Sequence, residues 1–308
     1  MAVSHNLCTL YWWTTVNDIR NNWRIYWEDL YGNYKKDSLY CQGQQYMKAQ
    51  DIQREHFNKI SDLYVSTRSN KYHLAYKKIW WEAYFPWLID LIGDNKTKKG
   101  LDAMCGNAEI AVYLMEHIPK LKMDAFDYSD EMVRYAKKIV KRKHMAINVF
   151  KDDILKLKLK PGSYDFVVIL GGLHHMPDYT KEILTVMNKV LKPGGYFLNL
   201  EPTQNNWFLR WSRKQIYHRN PIFEEATERA FDLDKYNDHF KKADFKVIKQ
   251  EYPGLLGYVL FYNPDAFPHL NISIVGLARL LAWIDVLLGK TIIGKYWSFV
   301  TWTLAQKK

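Results

Sequence analysis

The chain has 308 residues, 48% of them hydrophobic and 25% charged, so it is not a generally disordered protein and it provides for one large domain or two small ones. The formal net charge of +11 favours an anionic partner, namely nucleic acid, lipid headgroups or a phosphorylated small molecule. Cys8, Cys41 and Cys105 give neither a disulfide framework nor a zinc spacing. We therefore expect a cytoplasmic protein with no metal site.

The first 95 residues form a polar, aromatic segment without β alternation, which predicts a helical cap. Trp23, Trp27, Leu30, Tyr31 and Tyr34 recur at three- and four-residue steps, on one helical face. We interpret this stripe as packing surface rather than as a ligand site. Residues 1–16 lack a basic segment followed by an apolar run, so we expect no signal peptide.

From residue 96 to the C-terminus, short apolar runs alternate with amphipathic ones, the pattern of a doubly wound α/β domain with a parallel sheet. The predicted strands are 100–104, 122–126, 146–150, 164–170, 196–200, 245–251 and 296–304. The predicted helices are 108–117, 129–142, 179–191 and 232–243. Ligands of such a sheet bind beyond the carboxyl ends of its strands, so the functional motifs are expected just after strands.

Two segments of this second domain, 202–231 and 253–295, fall outside the strand and helix alternation and are assigned to the substrate side. The second of them contains an apolar insertion that ends before the last predicted strand. We therefore expect an insertion between the last two strands, which would pair as an antiparallel hairpin at the edge of the sheet.

The turn after the first strand reads LDAMCGNA, residues 101–108. Glycine there lets a ligand approach the backbone at a helix N-terminus. The G-x-G-x-x-G pattern of dinucleotide-binding loops is absent, which disfavours a hydride-transfer enzyme.

Acidic residues follow the second and third strands. Asp127 is placed to accept hydrogen bonds from ribose hydroxyls, although it can also serve only to cap the next helix. Asp152 and Asp153 can accept from an adenine amino group, with a neighbouring backbone amide donating to the ring. After the fourth strand, residues 171–178 read GGLHHMPD, and LKPGG precedes the fifth strand.

These five segments, in this order, resemble the class I S-adenosylmethionine-dependent methyltransferases. The resemblance covers residues 99–202 well and 240–251 and 297–308 more loosely. It implies a mostly parallel seven-stranded sheet with helices on both faces and S-adenosylmethionine as the cofactor. It also implies a set of cofactor-binding residues: Asp102, Ala103, Met104, Gly106, Asp127, Tyr128, Met132, Asp152, Asp153, Ile154 and Gly171.

Within this set the resemblance implies distinct roles. Asp102 and Gly106 line the methionine and ribose end of the cofactor, and Gly171 lies under its methionine portion. Asp127 accepts both ribose hydroxyls, and Met132 packs near the adenine ring. Asp153 is the better match to the adenine-amino acceptor, with Asp152 next, and Ile154 supplies the backbone amide. Two positions depart from the family pattern, because Met104 and Ala108 stand where the family has glycines. Met104 cannot adopt a positive φ as easily as glycine does.

Methyl transfer from a sulfonium is an in-line displacement, so the protein must mainly hold the acceptor in line and exclude water. A general base helps when the acceptor is a hydroxyl, a carbon acid or a protonated amine, and His174 and His175 are the candidates. The alternative is that these histidines only brace the loop. Glu201 and Tyr64, or Tyr72 in place of Tyr64, are further pocket candidates.

The substrate is expected to be a small hydrophobic metabolite, such as a natural-product, isoprenoid or lipid intermediate, that carries an acidic group. The aromatic N-terminal segment and residues 202–220 would form a lid, in which Trp207, Phe208 and Trp211 contact the apolar body. The acid would be contacted by the basic side chains of the same stretch, which are Arg210, Arg213, Lys214, His218 and Arg219. Methylation of nucleic acid or protein is less favoured, because no RNA-binding module is recognisable. A scaffold that has lost turnover is a further alternative, with Met104 as its only support.

Residues 270–288 have helical apolar spacing interrupted by Arg279 and Asp285. Packing against the domain or a subunit interface is the ordinary interpretation. Peripheral docking on a membrane surface is the alternative, supported by the positive charge and by Trp283 and Lys290 nearby.

Overall fold

A computed structural model describes residues 49–93, 96–219, 223–224, 227–263 and 273–308 of the chain. The stripe from Trp23 to Tyr34, as well as Cys8 and Cys41, lies outside the described residues. Residues 270–272 of the apolar 270–288 stretch, and residue 220 of the predicted 202–220 lid, also lie outside them. The predicted boundary near residue 95 stays a prediction.

Three helices precede the sheet: α1 (Ala49–Thr67), α2 (Lys71–Tyr84) and α3 (Pro86–Ile92). Pro86 begins α3 at a position where its missing N–H costs no helical hydrogen bond. Tyr76, Trp80 and Tyr84 recur every fourth residue on the buried face of α2, and all three are fully buried. This aromatic face anchors α2 to the domain, because each such side chain contributes roughly 2 to 3 kcal/mol when it leaves water.

Seven strands form one sheet, as predicted. In chain order they are β1 (Lys98–Ala103), β2 (Leu121–Asp127), β3 (Ile147–Lys151), β4 (Tyr164–Leu170), β5 (Leu191–Pro202), β6 (Phe245–Glu251) and β7 (Val300–Lys307). Their order across the sheet is β3-β2-β1-β4-β5-β7-β6. Strands β1 to β5 are parallel, and β7 is antiparallel to both of its neighbours. The carboxyl ends of β1, β2 and β4 therefore meet at one edge.

Helices cover both faces of the sheet. The remaining ones are α4 (Glu109–His117), α5 (Asp130–Arg142), α6 (Thr180–Val190), α7 (Trp207–Arg219), α8 (Leu233–Lys242), α9 (Val275–Gly289) and α10 (Ile292–Trp297). One hydrophobic core lies under α2 to α5 and α9, and the other lies under α6 and α8. The alternating apolar runs of the sequence thus correspond to a sheet buried on both sides.

The insertion between β6 and β7 is confirmed, but one predicted strand begins too early. Tyr296 and Trp297 belong to α10 rather than to β7. The reason is local, because the Thr291 hydroxyl caps α10 by accepting from the Gly294 N–H at 3.5 Å. The predicted cap of α5 is confirmed, since the Ser129 hydroxyl accepts from the Met132 N–H at 3.2 Å. No helix among the described residues is long and apolar enough to cross a membrane.

Candidate active site

A cavity of about 270 Å³ lies at the carboxyl edge of the sheet. The loops after β1, β2, β3 and β4 form its floor, while α1, α2, α7 and the π-helical turn Tyr258–Tyr262 form its walls. All of the predicted cofactor-binding residues line this cavity except Asp102 and Ala103. Of the four predicted catalytic residues, His174, His175 and Tyr64 line it and Glu201 does not.

The loop after β1 keeps a left-handed backbone at three positions, two of which are not glycine. The φ angles are 55° at Met104, 53° at Gly106 and 60° at Ala108. A left-handed conformation costs a residue with a side chain roughly 1 to 2 kcal/mol. Met104 is accommodated because Gly172 leaves room beside it, since a Cβ on Gly172 would lie 2.9 Å from the Met104 sulfur. Met104 therefore adopts a left-handed backbone despite its side chain and contributes to the cavity wall.

Asp102 lies beneath this loop rather than in the cavity, which corrects its predicted position. Its Oδ2 accepts from the Ala111 N–H at 3.1 Å and so ties β1 to α4. Its Oδ1 is buried and has no partner in the structure. Burial raises the pKa of Asp102 well above its usual range. Ala103 is also fully buried, so neither residue provides cavity wall.

Asp127 combines both of the roles considered for it. Its Oδ1 accepts from the Ser129 N–H at 2.9 Å, which helps to begin α5, and its Oδ2 accepts from the Gly106 N–H at 2.8 Å. Burial raises the pKa of Asp127, and these amide hydrogen bonds oppose the shift. Each carboxylate oxygen has more than one acceptor position. The side chain can therefore accept further donors from a molecule in the cavity.

Asp153 and Ile154 follow β3, where the acid was predicted to accept from an adenine amino group. The Asp153 Oδ1 accepts from the Leu155 N–H at 3.0 Å, and its Oδ2 accepts from the Gln50 side-chain amide at 3.2 Å. The Gln50 amide of α1 therefore donates to the Asp153 carboxylate in the way that was predicted for an adenine amino group. Asp152 accepts from the Asp153 N–H at 2.8 Å and also lines the cavity.

Helix α1 covers this end of the cavity through polar contacts with the loop after β2. The Tyr128 hydroxyl donates to Asp51 Oδ1 at 3.0 Å, and the guanidinium of Arg54 lies 5.3 Å from the centre of the Tyr128 ring. The Ser129 hydroxyl donates to the Asn58 side-chain oxygen at 2.7 Å. Met132 is buried under this cover and lines the cavity, as predicted.

Glu201 is buried below the loop that follows β4 and holds that loop in place. Its Oε1 accepts from the backbone N–H groups of Gly172 and Leu173 at 3.0 and 2.8 Å. Its Oε2 contacts the backbone nitrogen and ring Nδ1 of His174, at 3.2 and 2.8 Å. Glu201 therefore orients the loop and His174 and contacts no cavity space. Burial, followed by the charge of His175, lowers the pKa of His174, which favours its neutral form.

His175 also lines the cavity and has its own carboxylate partner. Its Nδ1 is 3.0 Å from the Glu228 Oε1, and its ring packs edge-on against Phe57 at 4.9 Å between centroids. Glu228 is buried. Burial alone would raise its pKa, but the charge of His175 and the hydrogen bond to it lower the pKa to about 2.

His174, His175 and Glu228 also present one potential metal-ligand atom each, within 4.8 Å of one another. No metal site was expected from the sequence, because the spacing of the cysteines offered none. The structure therefore adds a cluster that can work either in proton transfer or in cation binding.

One part of the cavity wall, outside the predicted cofactor-binding residues, is aromatic and aliphatic. It includes Tyr64, Trp81, Leu200, Ile216, Tyr258, Tyr262, Phe299 and Val300. Among the described residues, the buried cation of this wall without a carboxylate partner is Arg213. Its guanidinium donates to the carbonyls of Phe299 and Thr203 at 2.7 and 3.3 Å, and its Nε has no partner.

The predicted aromatic lid is wrong in its orientation. Trp207, Phe208 and Trp211 of α7 are 78%, 41% and 56% exposed and do not line the cavity, whereas Arg213 and Ile216 of the same helix do. Helical periodicity separates these two groups onto opposite faces of α7. Tyr72 does not line the cavity either; it contacts Phe261.

Several site residues were not found by sequence reasoning. Gln50, Arg54 and Phe57 of α1 carried no motif, although the N-terminal segment that contains them was predicted to be helical. Glu228 lies in an irregular segment and reaches His175 from 53 residues away. A charged residue in a polar loop gives no signal of burial in one sequence, so no pattern was available for Glu228.

Comparison with known proteins agrees with this geometry. Residues 101–195 match the family model described as a methyltransferase domain. A demethylmenaquinone methyltransferase of Staphylococcus haemolyticus is 29% identical over 202 residues, which cover 59% of this chain and 83% of that protein. A second one, from Listeria welshimeri, is 26% identical over 63% of this chain and 87% of its own length.

The chain therefore contains a methyltransferase domain and has the fold of the class I S-adenosylmethionine-dependent methyltransferases. The fold agrees with that of solved structures. A protein described as a sarcosine dimethylglycine methyltransferase, from Galdieria sulphuraria, superposes with a TM-score of 0.55 at 15% identity and covers 75% of this chain and 86% of its own.

The methyltransferase has a cavity that fits its cofactor, S-adenosylmethionine. A Cβ built on Gly106 would meet no atom within 4 Å, and Gly171 adopts a φ of 74° with only the His174 ring near its would-be Cβ, at 3.8 Å. The loops after β1 and β4 therefore leave open space next to the Asp127 carboxylate. These are the steric and polar features that a nucleoside with a charged tail requires.

Proposed function

We propose that this methyltransferase methylates a small, largely hydrophobic acceptor that carries an acidic or strongly polar group. The observation that supports this most is the part of the cavity wall outside the predicted cofactor-binding residues, which combines aromatic side chains with the buried, incompletely paired guanidinium of Arg213. Aromatic rings bind an apolar body, and a guanidinium binds a carboxylate or a similar anion in a bidentate manner.

The size and enclosure of the site support a small acceptor over a macromolecule. The cavity is about 270 Å³, with α1 lying over one end. A duplex or a folded protein surface would need an open groove, and a single-stranded nucleic acid would need basic side chains along an exposed track. The relatives named above are demethylmenaquinone methyltransferases, and an acceptor of comparable hydrophobicity fits this wall.

We assign the cofactor-binding role to residues on the floor of the cavity. The Asp127 carboxylate would accept the ribose hydroxyls, and the Asp153 carboxylate would accept the adenine amino group in place of the Gln50 amide. The open space above Gly106 and Gly171 would take the remainder of the molecule. When bound, S-adenosylmethionine supplies the methyl group as an electrophile.

His175 is the general base in this proposal. It lines the cavity, and the Glu228 carboxylate fixes its Nδ1 so that Nε2 is free to take a proton from the acceptor. Glu228 also stabilises the imidazolium that forms. His174 and Glu201 are positioning residues, because they hold the loop that presents His175. The enclosed aromatic wall excludes water from the reacting groups.

The experiment uses S-adenosylmethionine with a radiolabelled methyl group and three acceptor classes: demethylmenaquinone and simple phenols, RNA, and protein. We expect label in the organic extract of the first class only. Label confined to RNA or protein would overturn the acceptor assignment. Arg213→Lys keeps the charge but loses the fork geometry, and we expect it to raise KM at least 10-fold for an acidic acceptor.

The base is tested by His175→Asn, with His117→Asn as the control. His117 contacts a backbone carbonyl and lies outside the cavity. We expect kcat to fall 100-fold or more in the first variant, with binding of S-adenosylhomocysteine unchanged, because a positioned base contributes roughly 10²- to 10⁴-fold. A chelator is expected to leave turnover unchanged. Loss of turnover with the chelator and its return with a divalent cation would refute the base role of His175 and make the cluster a metal site.

A further inference from the structure

Helix α9 is apolar on nearly all of its circumference, but only one side of it is packed. Ala278, Ala282 and Val286 are buried and the buried Asp285 accepts from the Tyr76 hydroxyl of α2 at 2.6 Å. The opposite side presents a stripe at positions i, i+3, i+4 and i+7, which consists of Leu280, Trp283, Ile284 and Leu287, 37% to 61% exposed. An all-apolar helix is normally covered on every side.

The exposed stripe continues onto the two neighbouring helices. Helix α10 follows α9 directly and exposes Ile292, Ile293, Tyr296 and Trp297, each by half or more. The Phe208 ring of α7 lies 6.3 Å from the ring of Trp297, and the Asn206 side chain donates to the Tyr296 carbonyl at 2.6 Å. We call this set the apolar face: Trp207, Phe208, Trp211, Leu280, Trp283, Ile284, Leu287, Ile292, Ile293, Tyr296 and Trp297.

The exposed charged side chains that the structure describes on these helices are all positive. Helices α7, α9 and α10 contain a single acidic residue, Asp285, which is buried. Lys214, Arg279, Lys290 and Lys295 are exposed around the apolar face and take part in no ion pair among the described residues. Tryptophan and tyrosine on an apolar face with lysine and arginine at its edge are typical of a surface that lies in the headgroup region of a bilayer.

We propose that the apolar face docks on the surface of an anionic phospholipid bilayer. The positive edge complements the negative headgroups, and four tryptophans supply the amphipathic side chains that favour the interface. Large apolar patches are rare on the surface of monomers. A protein partner that matched only the positive charges would leave the exposed aromatic side chains unexplained.

The position of the face relates it to the cavity, and this step rests on the proposed hydrophobic acceptor. Trp211 on the exposed side of α7 and Arg213 and Ile216 on its cavity side belong to two turns of one helix. Phe299, just after α10, also lines the cavity. Docking would therefore place the acceptor side of the active site next to the lipid that dissolves the acceptor.

Vesicle co-sedimentation tests the proposal. The full chain is mixed with vesicles of phosphatidylcholine, with and without phosphatidylglycerol, at salt concentrations from about 0.1 M to about 1 M. We expect partition onto the anionic vesicles that weakens as salt rises. The double variant Trp283→Ser, Leu287→Ser should partition at least 10-fold more weakly. The control pair Leu91→Ser, Ile248→Ser, whose side chains are equally apolar and each 44% exposed, should partition like the wild type.

Equal partition of the two double variants, or no partition onto anionic vesicles, would overturn the docking proposal. A dimer in solution that Trp283→Ser, Leu287→Ser converts to monomer would also overturn it, because a second copy would then cover the face. Sedimentation requires no turnover, and S-adenosylhomocysteine binding is measured on the same samples. Failure of the acceptor assignment therefore leaves vesicle binding intact, and failure of docking leaves methylation of a water-soluble phenol intact.

Discussion

Gly106 offers a direct test of where the cofactor lies. It adopts a φ of 53°, and a Cβ added there would meet no atom within 4 Å. Gly106→Ala therefore introduces no clash in the free protein and costs only the left-handed backbone penalty of roughly 1 to 2 kcal/mol. The loss of unfolded-state entropy offsets about 0.4 to 1 kcal/mol of this. We expect a net loss of about 1 kcal/mol in the free energy of unfolding.

A matched control isolates the effect on the cofactor. Gly162 has a φ of 64°, and its Cβ would also meet no atom within 4 Å, but it lies in the turn before β4 and does not line the cavity. Gly162→Ala should therefore lose the same stability, about 1 kcal/mol. Only Gly106→Ala should place a methyl group in space that the cofactor needs.

The assay combines urea unfolding of the free protein with calorimetric titration of S-adenosylhomocysteine. We expect Gly106→Ala to weaken that binding by 10-fold or more, which corresponds to about 1.4 kcal/mol, and Gly162→Ala to leave it unchanged. If both variants bind S-adenosylhomocysteine like the wild type, the cofactor does not lie against the loop after β1. If Gly106→Ala is several kcal/mol less stable than Gly162→Ala, the loop is more constrained than its open surroundings indicate.

Three further predictions concern buried acids. Burial raises the pKa of Asp285 to about 6, so its folded form holds a proton more tightly than the unfolded chain does. About 3 kcal/mol of stability, present below pH 4, is therefore lost as the pH rises to 6. Asp285→Asn should remove this loss, which is measured by urea unfolding of both proteins at pH 4 and pH 7.5. The pKa of Glu228 shifts in the opposite direction, to about 2, because the charge of His175 and the hydrogen bond to it outweigh the effect of burial. The free energy of unfolding should therefore fall by roughly 3 kcal/mol as the pH falls from 4.5 to 2. Glu228→Gln should abolish that dependence in acid-unfolding curves. Glu201→Gln replaces one acceptor oxygen by an NH₂ group, which would face the N–H donors of the loop after β4. We therefore expect kcat to fall 10-fold or more, with KM for S-adenosylmethionine little changed. An unchanged kcat would mean that Glu201 does not position the loop.

The order of strands and helices in the core of the domain could be predicted from the sequence, because the signals are local. Apolar runs of five to seven residues and the cap at Ser129 each act within a few positions of the chain. The LKPGG segment was predicted to precede the fifth strand, but its five residues belong to β5 itself. The same holds for the loop after β1 and for the acids after β2 and β3, whose positions at strand ends follow from the parallel sheet. The strand boundary at Tyr296 was missed because β-forming residues there follow a helix cap.

The partners of the site residues could not be predicted in this way. Glu228 meets His175 across 53 residues, and Gln50 meets Asp153 across 103. Neither contact can be predicted from local periodicity, because many different sequences between the two residues would allow the same contact. Glu201 was assigned to the pocket from its place at a strand end, and only the packed structure shows that its carboxylate points into the loop below.

The sequence by itself determined the α/β fold, the methyltransferase domain and the loops that form the floor of the cavity, since hydrophobic periodicity and strand-end motifs depend on neighbouring residues. The tertiary structure decided which side of each apolar helix is covered. Helix α9 is apolar all round, and α7 carries aromatic rings on one face and Arg213 on the other. The side of a helix that becomes buried depends on which segments pack against it. Those segments are distant in the sequence, so a local pattern does not identify them.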